Sequence, residues 1–114
     1  MTLPIGLFAI AALGGITLAT LRLRGKELPL ALALAHGAIA AAGLLALIFA
    51  VVSAGTAAPS LSKAALAIFV VAALGGFFLF SFQLRKKQIP VGVMIIHALV
   101  AVTAFVLLLV ATVG

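Results

Sequence analysis

A 114-residue chain that is 68% hydrophobic and only 7% charged cannot keep a folded surface wet, since soluble domains carry about 25% charged residues; the bilayer is the solvent that suits it, because apolar side chains facing lipid need no core. Seven Lys or Arg against one acidic residue leave a formal charge of +6. Those charges sit in short breaks between apolar runs, which argues for membrane orientation and against a nucleic-acid partner.

A spanning helix needs about 20 apolar residues, and four stretches qualify. They run from about Leu3 to Leu23, Leu28 to Val52, Lys63 to Leu84 and Ile89 to Val113. Met1 to Leu7 carries no Lys or Arg, so the basic start of a cleaved signal peptide is missing. The first run is read as a retained helix. The first break, Arg24-Gly25-Lys26-Glu27, is closed by Pro29, and the third, Arg85-Lys86-Lys87-Gln88, by Pro90. Both prolines suit a helix's first turn, where a missing N–H costs nothing. The second break, Ser53 to Ser62, is rich in Ser, Thr, Gly and Pro and has only Lys63 beside it. The positive-inside rule then places both basic turns in the cytoplasm and both termini outward. A bacterial inner membrane is the expected location.

The chain repeats itself at an offset of 61: Ile10–Gly37 and Val71–Ala98 agree at 11 of 28 positions. Ala-rich helices match by chance at common residues, so the rarer matches weigh most. Gly14 and Gly15 match Gly75 and Gly76, Arg24 matches Arg85, Lys26 matches Lys87, Pro29 matches Pro90, and His36 matches His97, the two histidines of the chain. Each copy holds two helices, so both enter the membrane the same way. The expected fold is all-α: one integral membrane four-helix bundle over residues 1–114, built from a tandem, parallel two-helix repeat with copies at about 1–53 and 62–114.

His36 and His97 each lie seven residues past a proline, roughly 10 Å into helices 2 and 4. An intramembrane ionisable residue is a functional candidate by default, because burying it costs free energy. If helices 2 and 4 are diagonal, both imidazoles aim at the central axis, where neutral imidazole can serve as an axial haem ligand. Gly15 and Gly76, nine residues before Arg24 and Arg85, fall near the same depth. Having no side chain, they would leave width for a flat macrocycle. The basic residues about two turns away would face its propionates.

On these residues the layout resembles the four-helix core of b-type cytochromes. The resemblance covers nearly the whole chain in arrangement, without alignable sequence. It implies His36 and His97 as axial ligands of one haem b, with Gly14, Gly15, Gly75 and Gly76 facing the porphyrin. Arg24, Lys26, Arg85 and Lys87 are expected around the propionates. Quinol-oxidising cytochrome b carries two histidines per ligating helix and two haems, whereas this chain carries one per helix. One haem near one side does not carry electrons across roughly 30 Å of hydrocarbon by itself.

Each feature also has an ordinary explanation. A lone helix histidine usually hydrogen-bonds a neighbouring helix, and duplication copies a structural residue as readily as a ligand. Ala11, Gly15 and Ala19 form a small-residue run that lets helices approach. Met94, one turn from His97, is chiefly a gap-filler. Phe77, Phe78, Phe80 and Phe82 are expected to face, in part, lipid or a partner subunit. With no cysteine, no carboxylate in any span and no phosphate loop, the usual enzyme and proton-relay sites are missing, and no catalytic role is expected. Three readings therefore stand. The first is an electron-transfer haem subunit of a larger membrane complex, beside a quinone- or photosynthesis-linked partner. The second is a cofactor-free accessory or scaffold subunit of a respiratory or photosynthetic complex. The third is a pigment-binding subunit, each histidine holding a chlorophyll magnesium. Lipid is the partner in all three, with other membrane subunits or a homo-oligomer expected.

Overall fold

A computed structural model describes residues 1–113; Gly114, the last residue of the second expected repeat, lies outside them. Four helices follow one another: α1 (Thr2–Leu23), α2 (Leu30–Ala54), α3 (Ser60–Leu84) and α4 (Val91–Val113). A single 3-10 turn, Gly55–Ala57, joins α2 to α3. At 22 to 25 residues and 1.5 Å per residue, each helix is about 33–38 Å long, enough for roughly 30 Å of hydrocarbon. The fold is the expected all-α four-helix bundle, and the chain is a multi-pass membrane protein.

Several threonines on these helices satisfy their hydroxyls within their own helix, as lipid favours. Thr17, Thr20, Thr103 and Thr112 each donate their hydroxyl to the carbonyl four residues back, at 2.8–2.9 Å. Pro4 sits in the first turn of α1, where its missing N–H has no partner to lose. Pro29 and Pro59 stand one position earlier, as N-caps of α2 and α3. Pro90 directly precedes α4, and its carbonyl accepts from Met94 N–H at 3.0 Å.

The two basic turns are built alike. Gly25 (φ 70°) and Lys86 (φ 55°), 61 residues apart, both take the left-handed conformation that ends a helix. Lys26 N–H then reaches back to the Leu21 carbonyl at 2.9 Å, and Lys87 N–H to Phe82 at 2.8 Å. These closures satisfy carbonyls that the helix ends would otherwise orphan.

The helices go up and down in sequence, each packed on its neighbours in the order α1, α2, α3, α4 and back to α1. The backbones of α1 and α3, and of α2 and α4, do not approach each other, so these pairs are the diagonals. Contact is densest within each hairpin, α1 with α2 and α3 with α4. Only 17–22% of the most apolar window of each helix is buried inside the bundle. Phe49, Phe77, Leu13 and Leu45 stand well exposed, so lipid covers most of the apolar surface.

Two cores fill the ends of the bundle. Toward the termini, Phe8, Leu47, Val51, Ala58, Ala65, Phe69, Ala104 and Leu108 pack together. Phe8 and Phe69, again 61 apart, stack across the α1–α3 diagonal with ring centroids 3.8 Å apart and planes 3° from parallel. Leu47 and Leu108, the matching pair on α2 and α4, are fully buried. Toward the basic turns, Leu79, Ile89 and Met94 form a smaller cluster with Ala19, Leu28 and Phe82 around it. Met94 is thus occupied as packing. The histidines lie between the two cores.

Candidate haem site

His36 on α2 and His97 on α4 face each other across the bundle. Their ring centroids are 6.5 Å apart and their planes 86° from parallel. Both side chains are half-buried. The diagonal placement of α2 and α4 makes this possible: a residue on the inner stripe of either helix meets its counterpart over the axis, not the helix beside it.

Each ring is seated against the preceding helix of its own hairpin. His36 Nδ1 lies 2.7 Å from the Ala11 carbonyl of α1. A carbonyl oxygen can only accept, so Nδ1 carries the proton and the neutral ring keeps its lone pair on Nε2. His97 Nδ1 is buried without a well-formed hydrogen bond. Ala72, the counterpart of Ala11 at the repeat offset, lines the cleft beside His97. Ala11 and Ala72 are themselves buried.

The glycines are where the sequence expects them, but the contact they make is different. They hold the imidazoles. A Cβ placed on Gly15 would stand 3.0 Å from His36 Cε1, and one on Gly76 would stand 3.3 Å from His97 Cε1. Gly14 and Gly75 back the same rings, with a Cβ 3.4 Å from His36 Cβ and 3.5 Å from His97 Nδ1. The Gly-Gly pairs therefore let each ring lie close against the neighbouring helix. A further result is that α1 between Ala11 and Gly15, and the same stretch of α3, put little side-chain bulk into the interior at this level.

The basic residues divide. Arg24, Lys26, Arg85 and Lys87 are all exposed at the turns. Arg85 lies over the Phe82 ring at 4.6 Å and bonds Ser81. The charge that turns inward is Arg22, which is half-buried, with Nε donating to the Ile89 carbonyl at 2.7 Å. At the matching position of α3, Gln83 Nε2 donates to the Leu28 carbonyl at 3.0 Å. These two bonds are counterparts at the repeat offset, and each ties one hairpin to the turn of the other. Sequence reasoning counted Arg22 among the basic residues that orient the chain but not among the site residues, because its repeat partner is Gln83 and matching identical residues hides a position where only the role is shared. It passed over Phe8 and Phe69 because they fall outside the stretch of densest identity, although the offset of 61 holds there as well.

Chemically, the site offers two imidazoles with ring centroids 6.5 Å apart. No group of three or more His, Cys, Asp or Glu that could hold a metal ion exists among the described residues. A single metal bonded at about 2.0–2.1 Å by both Nε2 atoms, with both pointing along the line between the rings, would set ring centroids about 6.3 Å apart; the observed separation is 6.5 Å. A shallow cleft of about 110 Å³ opens beside His97 between α3 and α4, lined by Val71, Ala72, Gly75, Val93, Ile96 and Val100. Comparisons with protein-family models, with curated proteins and with solved structures found no match.

Proposed function

We propose that this protein is a small membrane haem protein of b type, with His36 and His97 as the two axial ligands, serving as an electron-transfer subunit of a larger membrane complex. The observation that carries the reading is the facing pair of imidazoles at 6.5 Å. Two protein donors are too few for the usual four-coordinate metal site. They suffice for a macrocycle that brings four equatorial nitrogens of its own. The hydrogen bond from His36 Nδ1 to Ala11 supports the same reading, because ligating imidazoles characteristically donate their second nitrogen to a carbonyl or carboxylate.

The bound group would supply one-electron redox chemistry. The chain's part is to hold the two imidazoles against α1 and α3, with the His36 tautomer set by its bond to Ala11, to exclude water with the Phe8–Phe69 core on one side and the Leu79–Met94 cluster on the other, and to keep the site on one side of the membrane. His36 lies roughly 10 Å from the basic end. Orientation follows from charge, with the basic turns in the cytoplasm of a bacterial inner membrane. Since one such site does not span the hydrocarbon, a partner subunit completes the electron path. The broad lipid-exposed apolar surface also suits a cofactor-free accessory subunit, in which the histidines serve only to pack the hairpins.

The experiment is an absorption spectrum of protein purified from cells supplied with haem. The expected result is a sharp Soret band that shifts on dithionite reduction, low-spin in the ferric state, and lost in both His36→Ala and His97→Ala. A colourless, folded native preparation refutes the haem reading and leaves the accessory one.

A further inference from the structure

We propose that the second basic turn, between α3 and α4, binds one anionic phospholipid, with the phosphate on Arg85 and Lys86 and an acyl chain lying along α3 toward the cleft beside His97. This does not depend on the haem reading.

The repeat builds both basic turns on one backbone, and the second departs from the first in ways that favour an anion. Both turns need a left-handed residue after the helix. The first uses Gly25 at φ 70°, the second Lys86 at φ 55°. A side chain in that conformation costs free energy that glycine avoids, and such strain persists mainly at functional positions. The first turn also carries the chain's single acidic residue, Glu27, where the second has Gln88. Arg85-Lys86-Lys87 is therefore a run of cations with no acid beside it, and all of these side chains are exposed.

Arg85 is held in place for the role. Its Nε donates to the Ser81 carbonyl and its Nη2 to Ser81 Oγ, both at 3.2 Å, and its guanidinium lies 4.6 Å from the centre of the Phe82 ring. The remaining N–H groups of the fork suit a phosphate. In the first turn Leu21 stands where Phe82 does, so Arg24 has no such ring one turn before it.

The apolar half of the lipid has a track below the turn. Phe78 meets Phe82 edge to face at 5.2 Å, and both Phe78 and Val71 are exposed. With Gly75 between them, these residues share one face of α3 at helical spacing. Val71 and Gly75 line the cleft of about 110 Å³ between α3 and α4. Gly75 lies ten residues before Arg85, about 15 Å deeper, which is half of the roughly 30 Å hydrocarbon thickness. A headgroup on Arg85 thus runs its acyl chain from Phe82 to the cleft within one leaflet. The first copy has Thr17 in place of Phe78. Free phosphate would use the turn but not this track.

The test titrates the full chain in nonionic detergent with dioleoyl phosphatidylglycerol and with dioleoyl phosphatidylcholine, which has the same chains and no net charge. Inorganic phosphate serves as competitor. Native mass spectrometry counts bound lipid, and thermal unfolding is followed alongside. The expected result is a first phosphatidylglycerol bound about tenfold more tightly than phosphatidylcholine. Arg85→Gln with Lys86→Gly should remove that preference, and Lys86→Gly alone should lose part of it without a lower unfolding temperature, since Gly25 already serves in the matching place. Phe78→Ala should weaken both lipids alike. Arg24→Gln with Lys26→Gln, which takes two charges from the first turn, should leave the preference unchanged. Equal affinity of the native protein for the two lipids overturns the proposal, as does a preference that survives in the Arg85→Gln, Lys86→Gly protein. An equal loss in the first-turn variant also overturns it, and assigns the preference to the total charge of the basic end. Undiminished lipid binding in Phe78→Ala removes the acyl track. Displacement of phosphatidylglycerol by inorganic phosphate makes free phosphate the ligand and overturns the lipid assignment.

Discussion

At the scale of single residues, the site depends on what is missing from four positions. Gly14, Gly15, Gly75 and Gly76 have no side chain, and the imidazoles occupy the space this leaves. Because a Cβ on Gly15 would meet His36 Cε1 at 3.0 Å, Gly15→Ala forces the ring to shift by a few tenths of an ångström toward the axis. Gly15→Leu must displace it. Haem content per protein, read from the Soret band, should fall modestly in Gly15→Ala and by more than tenfold in Gly15→Leu. Replacing Gly37, which meets nothing within 4 Å, should leave it unchanged. If Gly15→Leu retains full haem content, the glycines are not seats for the ligands. The offset of 61 made these residues findable in the sequence. That they touch the ring, and not only leave room beside it, was not legible, since sequence spacing gives depth along a helix but not which neighbour fills the space.

At the scale of elements, the hairpins are held by packing at one end and hydrogen bonds at the other. The Phe8–Phe69 stack contributes about 0.5–1.5 kcal/mol beyond the area it buries. It relies on Gly43 of α2, where a Cβ would lie 3.1 Å from the Phe8 ring. Gly43→Val should therefore overpack this layer and destabilise the bundle by about 1–3 kcal/mol, measured by unfolding in mixed micelles. Gly6→Val and Gly92→Val, at positions with open space around them, should stay within about 0.5 kcal/mol of native. The helices were legible from hydropathy, but their starts moved: α3 begins at Ser60, not Lys63, because Pro59 serves as its N-cap. Polar residues in the first turn of a membrane helix reach the interface, so an apolar window starts too late there.

At the scale of the whole molecule, the bundle has one basic end and one nearly uncharged end, which carries both termini. Charge asymmetry of this kind orients the chain. The absence of cysteine makes single-cysteine labelling clean. In spheroplasts of a bacterial host, Thr56→Cys should react with a membrane-impermeant maleimide. Lys26→Cys and Lys87→Cys should react only after permeabilisation. Labelling of Lys26→Cys in intact spheroplasts would invert the proposed topology. It would also move the candidate site to the opposite side of the membrane, where a different partner would be required.

The sequence by itself determined the solvent of this protein, its helix count, its internal repeat and the depth of its two histidines, because hydropathy, proline position and the offset of matching residues are properties of order along one dimension. Only the tertiary structure decided that α2 and α4 are diagonal, that the imidazoles meet at 6.5 Å, and that Arg22 turns inward while the other arginines stay exposed. Those outcomes depend on which face of each helix is drawn inside. In a bilayer, where lipid is as apolar as the side chains, hydrophobicity does not choose that face; close packing of small residues and the few interhelical hydrogen bonds do.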